Sequence, residues 1–132
     1  MRVCVVGSGG REHALAAVLS RTAEVVVTPG NPGIPGSVET DPEEVDADLF
    51  VIGPEAPLVD GLADRLRAAG HLVFGPGADG AQLEGSKAWM KDLLVEAGVP
   101  TAAHGSFTEV PPAMEFLDTM VPPFVVKTDG LA

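Results

Sequence analysis

A cluster of glycines near the amino terminus has the composition and placement of an anion-binding turn. The apolar run of residues 2–6 predicts a buried strand, and residues 7–10, Gly-Ser-Gly-Gly, follow it directly. We call residues 7–10 the glycine loop. A helical pattern begins at about residue 11, so the loop would direct backbone N–H groups and a helix N-terminus at an anion. The sequence therefore predicts that a phosphorylated small molecule binds near residue 10, with a purely structural turn as the alternative.

The residues after the glycine loop narrow the class of ligand. A dinucleotide-binding turn needs glycine or alanine where this chain has Glu12, whose side chain would crowd the helix and repel a pyrophosphate. No Gly-Lys-Ser/Thr follows, so the loop is not a P-loop. Arg11 is the nearest cation; it could clamp a phosphate or simply begin a solvated helix. We expect Glu12 to interact with the helix dipole, and His13 to pack or cap rather than catalyse.

Three further residues could bind a ligand. Glu55 follows an apolar strand and lies between two prolines, which would hold its carboxylate ready for sugar hydroxyls or an amine; an exposed acid is the alternative. Lys127 ends an apolar strand, where a cation needs an anionic partner. Lys87 begins a helix and, taken alone, would be a surface lysine. Histidines at metal-ligand spacing are lacking, so we expect no zinc site.

These residues require a scaffold of alternating strands and helices. Short loops between the predicted elements favour a parallel α/β fold, in which ligands bind at the carboxyl ends of the strands. Loops 7–11, 29–36 and 53–57 should meet there. The predicted strands cover residues 2–6, 24–28, 49–52, 72–74, 106–108 and 124–127. The predicted helices cover residues 11–20, 58–69, 87–97 and 111–119, with a helical turn after Asp41 and a domain boundary at 83–86.

Composition excludes several classes of partner. The formal net charge of −11 argues against nucleic acid and anionic membranes. Cys4 is the one cysteine, so no internal disulfide can form. The amino terminus does not resemble a signal peptide, and no apolar run approaches the ~20 residues of a membrane span. We therefore expect a soluble, cytoplasmic protein that acts on small molecules.

Six motifs occur together in a specific order. They are Gly-Ser-Gly-Gly-Arg-Glu-His-Ala at 7–14, Pro-Gly-Asn at 29–31, Gly-Pro-Glu-Ala-Pro-Leu at 53–58, Phe-Gly-Pro at 74–76, Leu-Glu-Gly-Ser-Lys at 83–87 and Val-Val-Lys-Thr-Asp-Gly-Leu-Ala at 125–132. Over its whole length the chain resembles the N-terminal part of the glycinamide ribonucleotide synthetases, or phosphoribosylamine–glycine ligases. These enzymes belong to the ATP-grasp ligases.

The resemblance implies a fold and an activity. Residues 1–83 would form a Rossmann-like, parallel-sheet domain on the substrate side, and residues 84–132 the incomplete start of an ATP-grasp domain. The family joins glycine to 5-phosphoribosylamine in de novo purine synthesis, with ATP and Mg or Mn, through glycyl phosphate. Such an intermediate must be kept from water while its developing charge is neutralised.

The resemblance also implies roles for particular residues. Lys87 and Lys127 match two lysines that bind nucleotide phosphates, the metal ligands would lie beyond this chain, and none of its residues is assigned a catalytic role. The implied substrate-binding residues are Ser8, Gly9, Gly10, Arg11, Pro29, Gly30, Asn31 and Glu55.

Two departures from the family shape our expectations. Residues 37–48 are short for a helical crossover, so the chain either keeps one helical turn there or enters its third strand differently. The family continues beyond Ala132 into a glycine-rich loop over the phosphates. We therefore expect these residues alone to be an inactive ligase fragment, with Phe124, Val125 and Val126 partly uncovered and prone to self-association. The alternatives are a non-catalytic sugar-phosphate-binding module and, less favoured, a dinucleotide-dependent oxidoreductase.

Overall fold

The structure is a computed structural model that describes residues 1–130. The chain divides into two compact units, Met1–Ala81 and Gln82–Ala132. Each unit is described by itself below, as the first and the second unit. No helix in the described part of the chain is both long and apolar enough to span a lipid bilayer.

The first unit is built on a parallel sheet, which confirms the predicted α/β class. Its strands are β1 (Arg2–Gly7), β2 (Glu24–Pro29), β3 (Leu49–Ile52) and β4 (Leu72–Phe74), in the order β2-β1-β3-β4. All neighbouring strands run parallel, and the four predicted strands are confirmed to within one residue. Because β1 lies between β2 and β3, the winding of the chain reverses at β1, and a crevice opens between the carboxyl ends of β1 and β3.

Helices and apolar side chains cover both faces of this sheet. Helix α1 (Gly10–Leu19) packs over one face, where Ala16 joins a buried cluster with Val3, Val5 and Val27. On the opposite face, Leu58, Leu62 and Leu66 pack against Phe50 and other strand residues. Strands β1, β2 and β3 are almost continuously apolar because both of their faces are buried. The edge strand β4 differs, because Leu72 and Phe74 are 69% and 72% exposed.

The segment that joins β2 to β3, residues 37–48, contains a single 3₁₀ turn at Pro42–Glu44. We call it the crossover segment. The Asp41 side chain caps this turn by accepting a hydrogen bond of 2.9 Å from the Glu43 N–H. Val45 is buried and, with the half-buried Val38, joins the cluster that contains Phe50. The chain thus keeps one helical turn, and valines of a mostly extended segment cover the sheet in place of a helix.

The prediction of one helix over residues 58–69 was wrong. The structure has two helices, α2 (Glu55–Val59) and α3 (Leu62–Ala68), separated at Gly61, whose φ of +82° is left-handed. Helix α2 begins earlier than predicted because Pro57 lies in its first turn, where the missing N–H costs no helical hydrogen bond. A further helix, α4 (Ala78–Gly85), was not predicted.

The second unit contains two further helices, α5 (Lys87–Glu96) and α6 (Val110–Asp118). The Ser86 hydroxyl caps α5 by accepting a hydrogen bond of 3.1 Å from the Trp89 N–H. The rings of Phe107 and Phe116 are 5.3 Å apart.

The strands predicted in the second unit, at residues 106–108 and 124–127, were wrong. Neither segment pairs with a strand in the described residues, and a strand exists only through hydrogen bonds to a neighbour. As expected, Phe124, Val125 and Val126 are uncovered, with 41%, 78% and 84% of their surfaces exposed.

Candidate functional site

Three loops meet at the carboxyl edge of the sheet in the first unit. The Gly30 N–H donates to the Gly7 carbonyl at 3.1 Å, and the Gly53 N–H donates to the Val6 carbonyl at 3.0 Å. The Asn31 amide donates to the Ser8 carbonyl at 2.7 Å. Loops 7–11, 29–36 and 53–57 therefore come together as the sequence predicts for a parallel sheet.

Glu12 is buried beneath the glycine loop. Its carboxylate accepts hydrogen bonds from the Gly9 N–H at 2.7 Å and the Arg11 Nε at 2.8 Å. Burial acts to raise the pKa of Glu12, but the bonds from Arg11 and Gly9 outweigh it and lower that pKa. Glu12 is thus more than the dipole partner expected from the sequence: its carboxylate caps the N-terminus of α1 by accepting the N–H of Gly9, three residues earlier.

The Glu12 side chain fits only because glycines surround it. A Cβ atom on Gly53 would lie 2.1 Å from Glu12 Oε1, and a Cβ atom on Gly7 would lie 2.6 Å from Glu12 Cγ. These two glycines end β1 and follow β3, so the carboxylate lies at the base of the crevice between those strands. The position next to the α1 N-terminus is therefore already occupied by an internal anion.

Arg11 spans the crevice between β1 and β3. While its Nε bonds to Glu12, its Nη1 lies 2.9 Å from Glu55 Oε1 on α2. The Arg11 side chain is 51% exposed, and the Glu12 and Glu55 side chains are 4% and 36% exposed. The hydrogen bonds that Arg11 donates to Glu55 and, second, to Glu12 raise the pKa of Arg11. One buried and one exposed carboxylate therefore hold a single guanidinium.

Asn31 and Gly30 shape the neighbouring loop. The Asn31 side chain accepts a bond from the Gly33 N–H at 2.7 Å while it donates to Ser8, so both ends of its amide are engaged. Gly30 has a φ of +60°, and a Cβ there would lie 2.1 Å from Ser37 Oγ. These two residues hold the second loop against the glycine loop.

A cavity of about 570 Å³ lies at the same edge. Of the predicted residues, Ser8, Gly9 and Pro29 line it. Gly10, Arg11, Gly30, Asn31 and Glu55 are not in its wall.

Arg65 is the lining residue of this cavity that sequence reasoning missed. Its Nε lies 3.0 Å from Glu43 Oε1, and its Nη1 donates to the Asp60 carbonyl at 2.7 Å. Arg65 is 22 positions from Glu43, and no local pattern signals such a contact. The crossover segment also contributes Asp41 and Pro42 to the wall.

The second unit has a cavity of its own, of about 610 Å³. Lys87 and Lys127 both line it, together with Lys91 and three phenylalanines, Phe107, Phe116 and Phe124. Cations and aromatic rings thus share one wall.

Asp129 is a residue of the second unit that the sequence did not single out. Its carboxylate accepts bonds from the Lys87 N–H at 2.6 Å, the Ala88 N–H at 3.1 Å and the Ser86 hydroxyl at 2.9 Å. Hydrogen bonds from Ala88, Ser86 and Lys87 lower the pKa of Asp129. In the described part of the chain, no three His, Cys, Asp or Glu residues cluster closely enough to hold a metal ion.

Known proteins match the chain from end to end. The family model described as "Phosphoribosylglycinamide synthetase, N domain" matches residues 1–84, and that described as "Phosphoribosylglycinamide synthetase, ATP-grasp (A) domain" matches residues 85–132. A phosphoribosylamine–glycine ligase of Synechocystis sp. is 47% identical over 150 aligned positions, covering 100% of this chain and 36% of that relative. The ligase of Escherichia coli K12 is 47% identical over 151 positions, covering 100% of this chain and 35% of the relative.

A solved structure of a phosphoribosylamine–glycine ligase also matches the chain. The crystal structure of phosphoribosylamine–glycine ligase from Thermotoga maritima matches with a TM-score of 0.71 and 31% identity, covering 99% of this chain and 34% of that one. The chain spans about a third of the length of these relatives. It belongs to the phosphoribosylglycinamide synthetase family of ATP-grasp ligases, the family that its six motifs indicate.

Proposed function

We propose that this chain serves the ATP-dependent ligation of glycine to 5-phosphoribosylamine, which yields glycinamide ribonucleotide in de novo purine synthesis. The observation that carries the proposal is that two successive domains of one ligase family account for all 132 residues in order. In this proposal the carboxyl edge of the first unit would bind the sugar phosphate, and the lysine-lined cavity of the second unit would bind the nucleotide.

The first unit would bind 5-phosphoribosylamine. The Gly9 N–H already donates to Glu12. The phosphate would therefore be bound by the N–H groups of Ser8 and Gly10 and by the guanidinium of Arg11. Glu55 would accept hydrogen bonds from ribose hydroxyls or the amine. Pro29, Gly30 and Asn31 would form the adjoining wall.

The second unit would contribute to the nucleotide site. Lys87 and Lys127 line one cavity with aromatic side chains, a combination that suits a triphosphate and a base. ATP would supply the phosphoryl group that activates the glycine carboxylate for attack by the amine. The Mg or Mn that the family's chemistry implies has no matching cluster of ligands in the described residues, so we assign no metal ligand here.

A fusion protein tests the proposed ligation. This chain would replace the corresponding third of the Synechocystis relative, and ADP release would be measured with glycine and 5-phosphoribosylamine. We expect release that depends on both substrates, a loss of at least tenfold with Lys127→Ala, as for a charged hydrogen bond of about 1.5 kcal/mol or more, and no release from the 132 residues alone. A fusion with native-like circular dichroism but no substrate-dependent ADP release would contradict the proposal.

The fusion experiment, combined with a binding measurement on ribose 5-phosphate, separates the first alternative function from ligation. If the fusion is inactive but the chain still binds ribose 5-phosphate, a non-catalytic sugar-phosphate-binding module is the better description. The dinucleotide-dependent oxidoreductase is disfavoured by geometry, because the buried carboxylate of Glu12 occupies the place beside the α1 N-terminus that a pyrophosphate would need.

A further inference from the structure

The three charged side chains at the crevice are not equivalent. Glu12 is buried, and its carboxylate accepts hydrogen bonds from both the Gly9 N–H and the Arg11 Nε. The bond to Gly9 holds the carboxylate in place for its bond to Arg11. Glu55 is more than a third exposed and bonds to Arg11 through Nη1. Arg11 can therefore stay anchored to Glu12 by its Nε while its terminal nitrogens exchange Glu55 for another acceptor.

The net negative charge of these three side chains disfavours the binding of a ligand that is only an anion. Arg11, Glu12 and Glu55 together carry one positive and two negative charges, within a chain of net charge −11. A phosphate that displaces Glu55 from Arg11 breaks this ion pair and places a second anion close to the Glu55 carboxylate. The exchange becomes favourable when the same ligand also offers Glu55 hydroxyl or ammonium donors.

We propose that Glu55 competes with anionic ligands for Arg11, and that this competition sets the ligand specificity of the site. It disfavours ligands that bring only an anionic group and selects ligands that bring an anionic group for Arg11 together with hydroxyl or amine donors for Glu55. This inference rests on the proposed function, because it takes the carboxyl edge of the first unit to be the sugar-phosphate site.

Two probes and four proteins test the inference. Inorganic phosphate and ribose 5-phosphate would be titrated calorimetrically, at low salt, into the unaltered chain, Glu55→Gln, Glu55→Ala and Glu24→Gln. Glu24 is the matched control, because it also pairs with an arginine, Arg2, at 3.4 Å but at the amino end of the sheet. Removing Glu55 should tighten inorganic phosphate about three- to fivefold, the range expected for an exposed ion pair. Ribose 5-phosphate should gain less, so the preference for it should fall.

The outcomes separate this inference from the proposed function. Glu24→Gln should change either affinity less than twofold; an equal gain in that control would reduce the effect to net charge and overturn the inference. A second result would also overturn the inference: Glu55→Gln and Glu55→Ala bind inorganic phosphate no more tightly than the unaltered chain does, although the unaltered chain binds ribose 5-phosphate. That result would leave the proposed function intact. No binding of ribose 5-phosphate by the unaltered chain would instead remove the proposed site.

Discussion

At the scale of single residues, Glu12 determines how the candidate site is arranged. Its buried carboxylate holds the Gly9 N–H of the glycine loop and orients Arg11 across the crevice. Its side chain fills the space left by Gly7 and Gly53. One carboxylate therefore links the ends of two strands and the first turn of α1.

Glu12→Gln should destabilise the first unit by about 1–3 kcal/mol. Glutamine offers one oxygen and one NH₂ group, so one of the two donors that face Glu12 would meet another donor. Urea unfolding followed by circular dichroism measures the change, because the single tryptophan, Trp89, lies in the second unit. The exposed control Glu24→Gln should stay within about 0.5 kcal/mol, and an equal loss in both variants would contradict this role.

The same change should alter the dependence of stability on pH. Hydrogen bonds hold the pKa of folded Glu12 below its ordinary value of 4.5, even though burial opposes them. The contribution of Glu12 is therefore complete above about pH 4.5 and is lost as the pH falls through the folded pKa. The stabilities of the unaltered chain and Glu12→Gln should converge in acid; a constant difference down to that range would show that ionisation is not involved.

The sequence indicates where the candidate residues lie in the fold but not which side chains they contact. The glycine loop and Glu55 could be placed at strand ends because apolar runs and turn residues are local signals. The ion pair between Arg11 and Glu55 joins residues 44 positions apart, and only the order of the strands brings them together. Arg65 was missed for the same reason, since its contacts depend on how α3 packs beside the crossover segment.

At the scale of elements, Gly61 explains why one predicted helix is two. The apolar spacing of Leu58, Leu62 and Leu66 is helical, and all three side chains are buried. Periodicity alone therefore could not show a break between them. The left-handed φ of +82° at Gly61 ends one helix and begins the next while both keep their apolar faces on the sheet.

Gly61→Ala should cost about 1–2 kcal/mol of stability. A Cβ there would meet its nearest atoms only at 3.8–3.9 Å, so the cost comes from the left-handed backbone and not from a clash. Gly10→Ala is the matched control, because nothing lies within 4 Å of its Cβ and its φ is not positive. Thermal unfolding would compare the two variants, and a Gly61 variant as stable as the Gly10 variant would contradict the assignment.

At the scale of the whole molecule, the two units differ in how well they bury apolar surface. The first unit has its three strands β1, β2 and β3 covered on both faces, and only the edge strand β4 leaves large apolar side chains of the sheet, Leu72 and Phe74, exposed among the described residues. In the second unit α5 and α6 contain no fully buried residue, and Val121, Val125 and Val126 are each more than three-quarters exposed. The strand predicted at residues 124–127 rested on an apolar run, which does not reveal whether a pairing strand is available.

The exposed valines predict self-association of this chain. Light scattering after size exclusion should show a mass that rises with concentration, since apolar patches of this kind drive contact between copies. Val125→Ser with Val126→Ser should reduce the association, whereas Val18→Ser, at an exposed position of α1, should not. A monomer at every concentration that also fails to bind a hydrophobic dye would contradict the prediction.

The proposed function requires that the glycine loop and Arg11 bind a sugar phosphate at the carboxyl edge of the first unit. The most direct measurement is a titration of the isotopically labelled chain with ribose 5-phosphate, followed through its backbone amide resonances. We predict saturable shifts that are largest at Ser8, Gly10 and Arg11, and an affinity about tenfold or more weaker in Arg11→Ala. Amides of the glycine loop that do not move, or an unchanged affinity in Arg11→Ala, would contradict the claim.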